Sequence, residues 1–218
     1  MKIIVGNWKM NGNAEAAKFM SAALAKVKTE NQVVICPPFT LIDKFSGVSV
    51  GGQDCSTYIS GAYTGEVSAA LLADAGAKFV IVGHSERRIY HNESSDIVRA
   101  KAEAAISMGL TPIICVGETF ESQLQKSLPK TGKFIAAYEP VSAIGTGITP
   151  AASEIAFAHA AIHKILESFG QGFSPILYGG SVKGANAKDI MGIDFVDGVL
   201  VGGAALRPDD FIPIITAV

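Results

Sequence analysis

The chain has 218 residues, 18 basic and 20 acidic side chains, a formal net charge of −2 and 49% hydrophobic residues. A mean hydropathy of +0.33 allows a sizeable core and is too high for disorder. Like-charge runs stop at pairs such as Arg87-Arg88 and Asp209-Asp210, and no segment approaches the roughly 18 apolar residues of a membrane span, so neither nucleic acid nor a membrane is expected as a partner.

The amino-terminal apolar run is too short for a signal peptide. Cys36, Cys55 and Cys115 are odd in number and far apart, which gives no metal-ligand spacing and no disulfide framework. A reducing cytoplasmic setting is the expectation.

Short runs rich in Ile and Val recur along the whole length. The pattern predicts strands at Lys2–Gly6, Gln32–Cys36, Val48–Gly52, Phe79–Gly83, Pro112–Val116, Phe134–Tyr138, Pro175–Tyr178 and Gly198–Gly202. Several are apolar on consecutive positions, as for strands buried on both faces. Helix signals lie between them. Asn92 is a candidate cap for a helix running to Met108, with Gly109 as its stop. Thr149 is a candidate cap for another, with Pro150 at its first position and an apolar stripe of Ile155, Ala158, Ile162, Ile165, Leu166 and Phe169. A final helix is expected from Pro208, with a kink at Pro213.

Eight such alternations predict an α/β protein, a (β/α)8 barrel with a parallel eight-stranded closed sheet. An open doubly wound sheet is the alternative. No linker or shift in composition divides residues 1–218, so one domain is expected. Between Glu118 and Lys133 there is room only for a short helix, about Phe120 to Leu128, so the fifth βα unit is shortened.

In such a barrel the chemistry gathers where strands end at their carboxyl side. That rule selects Asn7 and Lys9, then His84 with Glu86, then Glu139, then the Gly-rich turns at Gly179-Gly180-Ser181 and Gly202-Gly203. Gly-rich turns after the seventh and eighth strands let backbone N–H groups approach an anion such as phosphate. Glu139 ends a rigid strand and is followed at once by a Pro-led, Gly-closed loop that can shut water out. His84 precedes a possible helix start, which disfavours a positive ring. A carboxylate base, a neutral imidazole, a lysine and a phosphate site together suggest proton abstraction beside a carbonyl, with the enediolate oxygen stabilised by His84 and Lys9.

Five segments carry a resemblance: Asn7-Trp8-Lys9-Met10-Asn11-Gly12, Gly83-His84-Ser85-Glu86-Arg87-Arg88, Ala137-Tyr138-Glu139-Pro140-Val141 with Ala143-Ile144-Gly145-Thr146-Gly147, Tyr178-Gly179-Gly180-Ser181-Val182, and Val201-Gly202-Gly203-Ala204. In this order they resemble the active-site segments of the triosephosphate isomerase family, a standing example of tuned acid–base pairs and of lid closure. The resemblance implies cofactor-free and metal-free interconversion of D-glyceraldehyde 3-phosphate and dihydroxyacetone phosphate in glycolysis and gluconeogenesis. It implies Glu139 as the proton shuttle, His84 as the neutral electrophile, Lys9 as the stabiliser of negative charge, Asn7 as an orienting residue and Glu86 as a polar support. Phosphate would be held by Gly145, Ser181, Gly202 and Gly203, under a lid from Pro140 to Gly147 latched by Tyr178. The segment Gln53–Glu66 resembles the loop through which family members form homodimers.

Two departures are visible. Ser142 stands where the family usually carries Trp, which predicts a looser lid with some loss of turnover or more phosphate elimination, testable by Ser142→Trp. The shortened fifth unit predicts exposed apolar surface near the fifth and sixth strands. The competing functions are a Schiff-base aldolase, for which no lysine lies within Phe134–Tyr138, and a phosphate-binding barrel with impaired or lost catalysis.

Overall fold

The computed structural model describes residues 1–140 and 149–218. Eight strands close into a barrel in chain order: β1 (Ile3–Asn7), β2 (Gln32–Cys36), β3 (Ser49–Gly52), β4 (Phe79–Val82), β5 (Thr111–Val116), β6 (Ile135–Tyr138), β7 (Ile176–Tyr178) and β8 (Gly198–Val201). Every neighbouring pair is parallel, and β1 meets β8 with Ile3 opposite Gly198. At that seam a side chain on Gly198 would place its Cβ 1.9 Å from the Ile3 carbonyl oxygen, so only glycine lets the two strands close.

The consecutive apolar residues of each strand serve two cores, because side chains alternate across a sheet. Val5, Phe79, Ile81, Ile113, Ile135, Leu177 and Leu200 fill the barrel interior. Their neighbours Ile4, Val80, Val82, Ile114, Ala136, Ile176 and Val199 face outward and are covered by the helices. Both faces are dry, which is why the sequence shows runs rather than alternation.

The outer ring holds α1 (Ala14–Leu24), α2 (Ala69–Asp74), α3 (Ser85–Tyr90), α4 (Ser95–Ser107), α5 (Phe120–Ser127), α6 (Ala152–Ser168), α7 (Gly184–Met191) and α8 (Pro208–Ile215), with 3₁₀ turns at Phe39–Lys44 and Gly203–Leu206. Two expected caps are displaced. Asn92 has φ of 54°, a left-handed conformation in which an N-cap cannot serve; Ser94 caps α4 instead, accepting from the Ile97 N–H. Thr149 does not cap α6, which starts two residues beyond Pro150; Glu154 there accepts from the Ala151 N–H. Phe169 lies just past α6 and is half exposed, so the apolar stripe ends at Leu166.

The shortened fifth unit is visible in α5, which has 8 residues. Leu124 and Ser127 are fully buried, and Leu124 joins the core that contains Phe134 and Leu166. Beyond α5 the strands stay covered, with Leu128 at 7% and Phe134 at 2% exposure. Phe120 meets Tyr138 edge-on at 5.7 Å, and Phe157 on α6 is 74% exposed.

Candidate active site

Lys9 follows β1 at φ of 52°, a conformation costly for a side chain other than glycine. Two side chains hold it there. Asn7 Oδ1 accepts from the Lys9 N–H at 3.0 Å, and Gln53 Nε2 donates to the Lys9 carbonyl at 2.8 Å and to that of Cys36 at 2.9 Å. The Lys9 ammonium then reaches Glu86 Oε1 at 2.5 Å. Sequence reasoning found Asn7, Lys9 and Glu86 but placed Gln53 only at the start of the Gln53–Glu66 loop. A polar amide directly after a strand was its only signal.

His84 is the last residue before α3 and is 6% exposed. The Glu86 N–H donates to its Nδ1 at 3.2 Å, and its Nε2 lies 3.0 Å from Glu139 Oε1. Burial lowers the pKa of His84 and the Glu139 charge raises it, with a net upward direction. An Nδ1 that accepts a hydrogen bond needs its lone pair, however, and a protonated ring has none. This favours the neutral imidazole with its proton on Nε2.

Glu139 sits one residue past β6 and is 1% exposed. Its Oε2 accepts from the Ser85 N–H at 2.9 Å. Burial would raise its pKa, but the His84 interaction and the Ser85 hydrogen bonds outweigh burial and hold the carboxyl below its ordinary range. Room for this packing comes from Gly179, where a Cβ would lie 3.0 Å from Glu139 Cγ. Ser85 and Gly179 were not singled out as partners of Glu139; nothing local in the sequence links it to positions 54 and 40 residues away.

Asn7, Lys9, His84, Glu139, Ser181, Gly202 and Gly203 line one cavity of about 280 Å³. Gly202 belongs to the same corner as Lys9, since a Cβ on it would lie 3.5 Å from Lys9 Cε. Glu86 does not line the cavity and reaches it through Lys9. Tyr178 is fully buried behind Gly180, and its hydroxyl has no hydrogen-bond partner among the described residues. Burial pushes that hydroxyl up to about 12. Gly145, Ser142 and the rest of 141–148 lie outside the described residues.

The arrangement places a dry carboxylate, an imidazole N–H and an ammonium around one small space, beside two glycine-rich turns. It is suited to moving a proton on a small anionic carbonyl compound.

The family model described as "Triosephosphate isomerase" matches residues 2–218. A curated triosephosphate isomerase of Alkalilimnicola ehrlichii is 46% identical over 243 aligned positions, covering 99% of this chain and 97% of the relative. One from Bradyrhizobium sp. strain ORS 278 is 47% identical over 240 positions, covering 97% and 96%. Both alignments are longer than the 218-residue chain, as expected where the relatives carry segments that this chain has trimmed. The crystal structure of triosephosphate isomerase from Bartonella henselae superposes with a TM-score of 0.87 at 38% identity, covering 99% of this chain and 98% of that one. The chain belongs to the triosephosphate isomerase family.

Proposed function

We propose that this protein interconverts D-glyceraldehyde 3-phosphate and dihydroxyacetone phosphate by cofactor-free proton transfer, as a homodimer in the cytoplasm. The observation that carries the reading is the buried Glu139–His84 contact at the cavity shared with Lys9 and the Gly-rich turns.

In the proposed cycle the substrate phosphate lies against Ser181, Gly202 and Gly203, with Gly145 completing the site from the lid. The triose carbonyl lies between His84 Nε2 and Lys9. Both Glu139 oxygens are engaged, one with Ser85 and one with His84, so the carboxylate must turn away from these donors before it can act as a base. It then removes the α-proton. His84 donates to the enediolate oxygen, Lys9 balances its charge, and Glu139 returns the proton to the adjacent carbon. Asn7 acts through the backbone of Lys9, and Glu86 aims the Lys9 ammonium. Tyr178 is assigned as the latch of the lid.

The loop Gln53–Glu66 is assigned to the dimer contact. Its Tyr58 and Tyr63 rings stack at 4.0 Å, and Tyr58, Ile59 and Tyr63 are 52%, 46% and 43% exposed.

The test is isomerase turnover of wild type against Glu139→Gln. General-base loss is expected to lower kcat by about a thousandfold. A folded wild-type protein that binds phosphate but does not turn over would put the phosphate-binding reading first.

A further inference from the structure

Thr149 has a hydroxyl that the sequence pattern assigns to a helix cap, and the structure spends it elsewhere. Its Oγ1 donates to the Ser181 carbonyl oxygen at 3.2 Å. Asn186, on the first turn of α7, donates through Nδ2 to Thr149 Oγ1 at 3.1 Å and to the same Ser181 oxygen at 3.2 Å. Its Oδ1 accepts from the Lys183 N–H at 2.7 Å. One amide thus uses both N–H groups and its oxygen, on three partners.

Two donors fix the Ser181 oxygen, and with it the Ser181–Val182 peptide plane. Ser181 and Val182 line the active-site cavity, whereas Thr149 and Asn186 do not. The carbonyl is therefore held against side-chain donors outside the cavity. A freed peptide could rotate and turn its negative oxygen toward an anion in that cavity, where backbone N–H groups are needed. Thr149, Asn186 and the Ser181 carbonyl thus form one knot beside the turn after β7.

We infer that Asn186 is a positioning residue for phosphate binding: through Thr149 and the Ser181 carbonyl it sets the orientation of the glycine-rich turn after β7. The inference rests on the isomerase reading above.

Thr149→Val removes the hydroxyl without changing volume or charge, and Asn186→Ala removes the amide. Inorganic phosphate, tested as a competitive inhibitor, is expected to bind each variant about tenfold more weakly, which is about 1.4 kcal/mol, the scale of one hydrogen bond. KM should rise more than kcat falls. More turnovers should end in methylglyoxal and inorganic phosphate, formed when the enediolate cleaves its C–O bond and expels the phosphate. Thr149→Ser, which keeps the hydroxyl, should behave as wild type. The double variant should be no weaker than Asn186→Ala alone, since both changes open the same knot. Melting temperature separates this from a structural role. If it falls while phosphate affinity and product partition stay at wild-type values, the inference is overturned. Wild-type protein that binds phosphate without isomerising would overturn the functional reading instead, and the variants' phosphate affinity would still decide this one.

Discussion

Glu139 shows how a buried carboxylate stays ionised. Its burial favours the neutral acid, and only the His84 contact and the Ser85 N–H reverse that preference. Because the folded pKa lies below the ordinary value near 4.5, this group contributes stability above its unfolded pKa, and that stability is lost as pH falls through the folded value. The acid limb of kcat/KM for the free protein should therefore inflect below 4.5. Replacing His84 by Ala removes the larger opposing partner and should move the Glu139 titration upward. Carboxylate carbon shifts followed against pH in wild type and His84→Ala would check this. Coincident inflections would mean that the Ser85 hydrogen bond alone sets the carboxylate.

Elements in this chain differ in how much they declare about themselves. The strands were legible to within a residue at either end, because each one is dry on both faces and so reads as an uninterrupted apolar run. Caps were not: Asn92 and Thr149 have the right chemistry for capping, but a left-handed backbone in one case and a long-range partner in the other decided their use. Asn7, Lys9, His84 and Glu139 were legible because barrel strands deliver their following residues to one mouth. Ser85, Gln53 and Asn186 were not, since their roles depend on contacts between distant segments. The buried charge cluster is another case. Lys101 on α4 binds Asp54 at 2.7 Å and Glu93 at 2.6 Å, and Arg87 joins the same two carboxylates at 2.8 and 2.5 Å. It fastens the start of the Gln53–Glu66 loop to α3 and α4. Lys101→Met leaves two nearly buried carboxylates with one cation, and should cost about 3 kcal/mol in chemical denaturation. A loss under about 1 kcal/mol would show that Arg87 and water suffice.

At the scale of the molecule, exposed apolar side chains follow the first four strands: Met10 at 96%, Phe39 at 40%, Tyr58 and Tyr63 on the loop after β3, and Ile89 and Tyr90 at 57% and 75%. Monomers seldom leave so many large apolar groups to water on neighbouring loops. Met10 is adjacent to Lys9, the residue held at positive φ, and Gln53, which holds Lys9 in place, opens the Gln53–Glu66 loop. Assembly through these loops would therefore brace the strained backbone of Lys9 as well as cover apolar surface, and would couple association to turnover. Tyr63→Asp places a charge in that contact and breaks the stacked tyrosine pair. The wild-type protein should sediment at twice its 22.7 kDa chain mass, and the variant at the chain mass. The variant's kcat should fall by at least about tenfold, a barrier increase of about 1.4 kcal/mol. Light scattering with parallel kinetics decides it. A monomeric wild type of full activity would leave Lys9 braced by Asn7 and Gln53 alone, and a monomeric variant of full activity would uncouple assembly from catalysis.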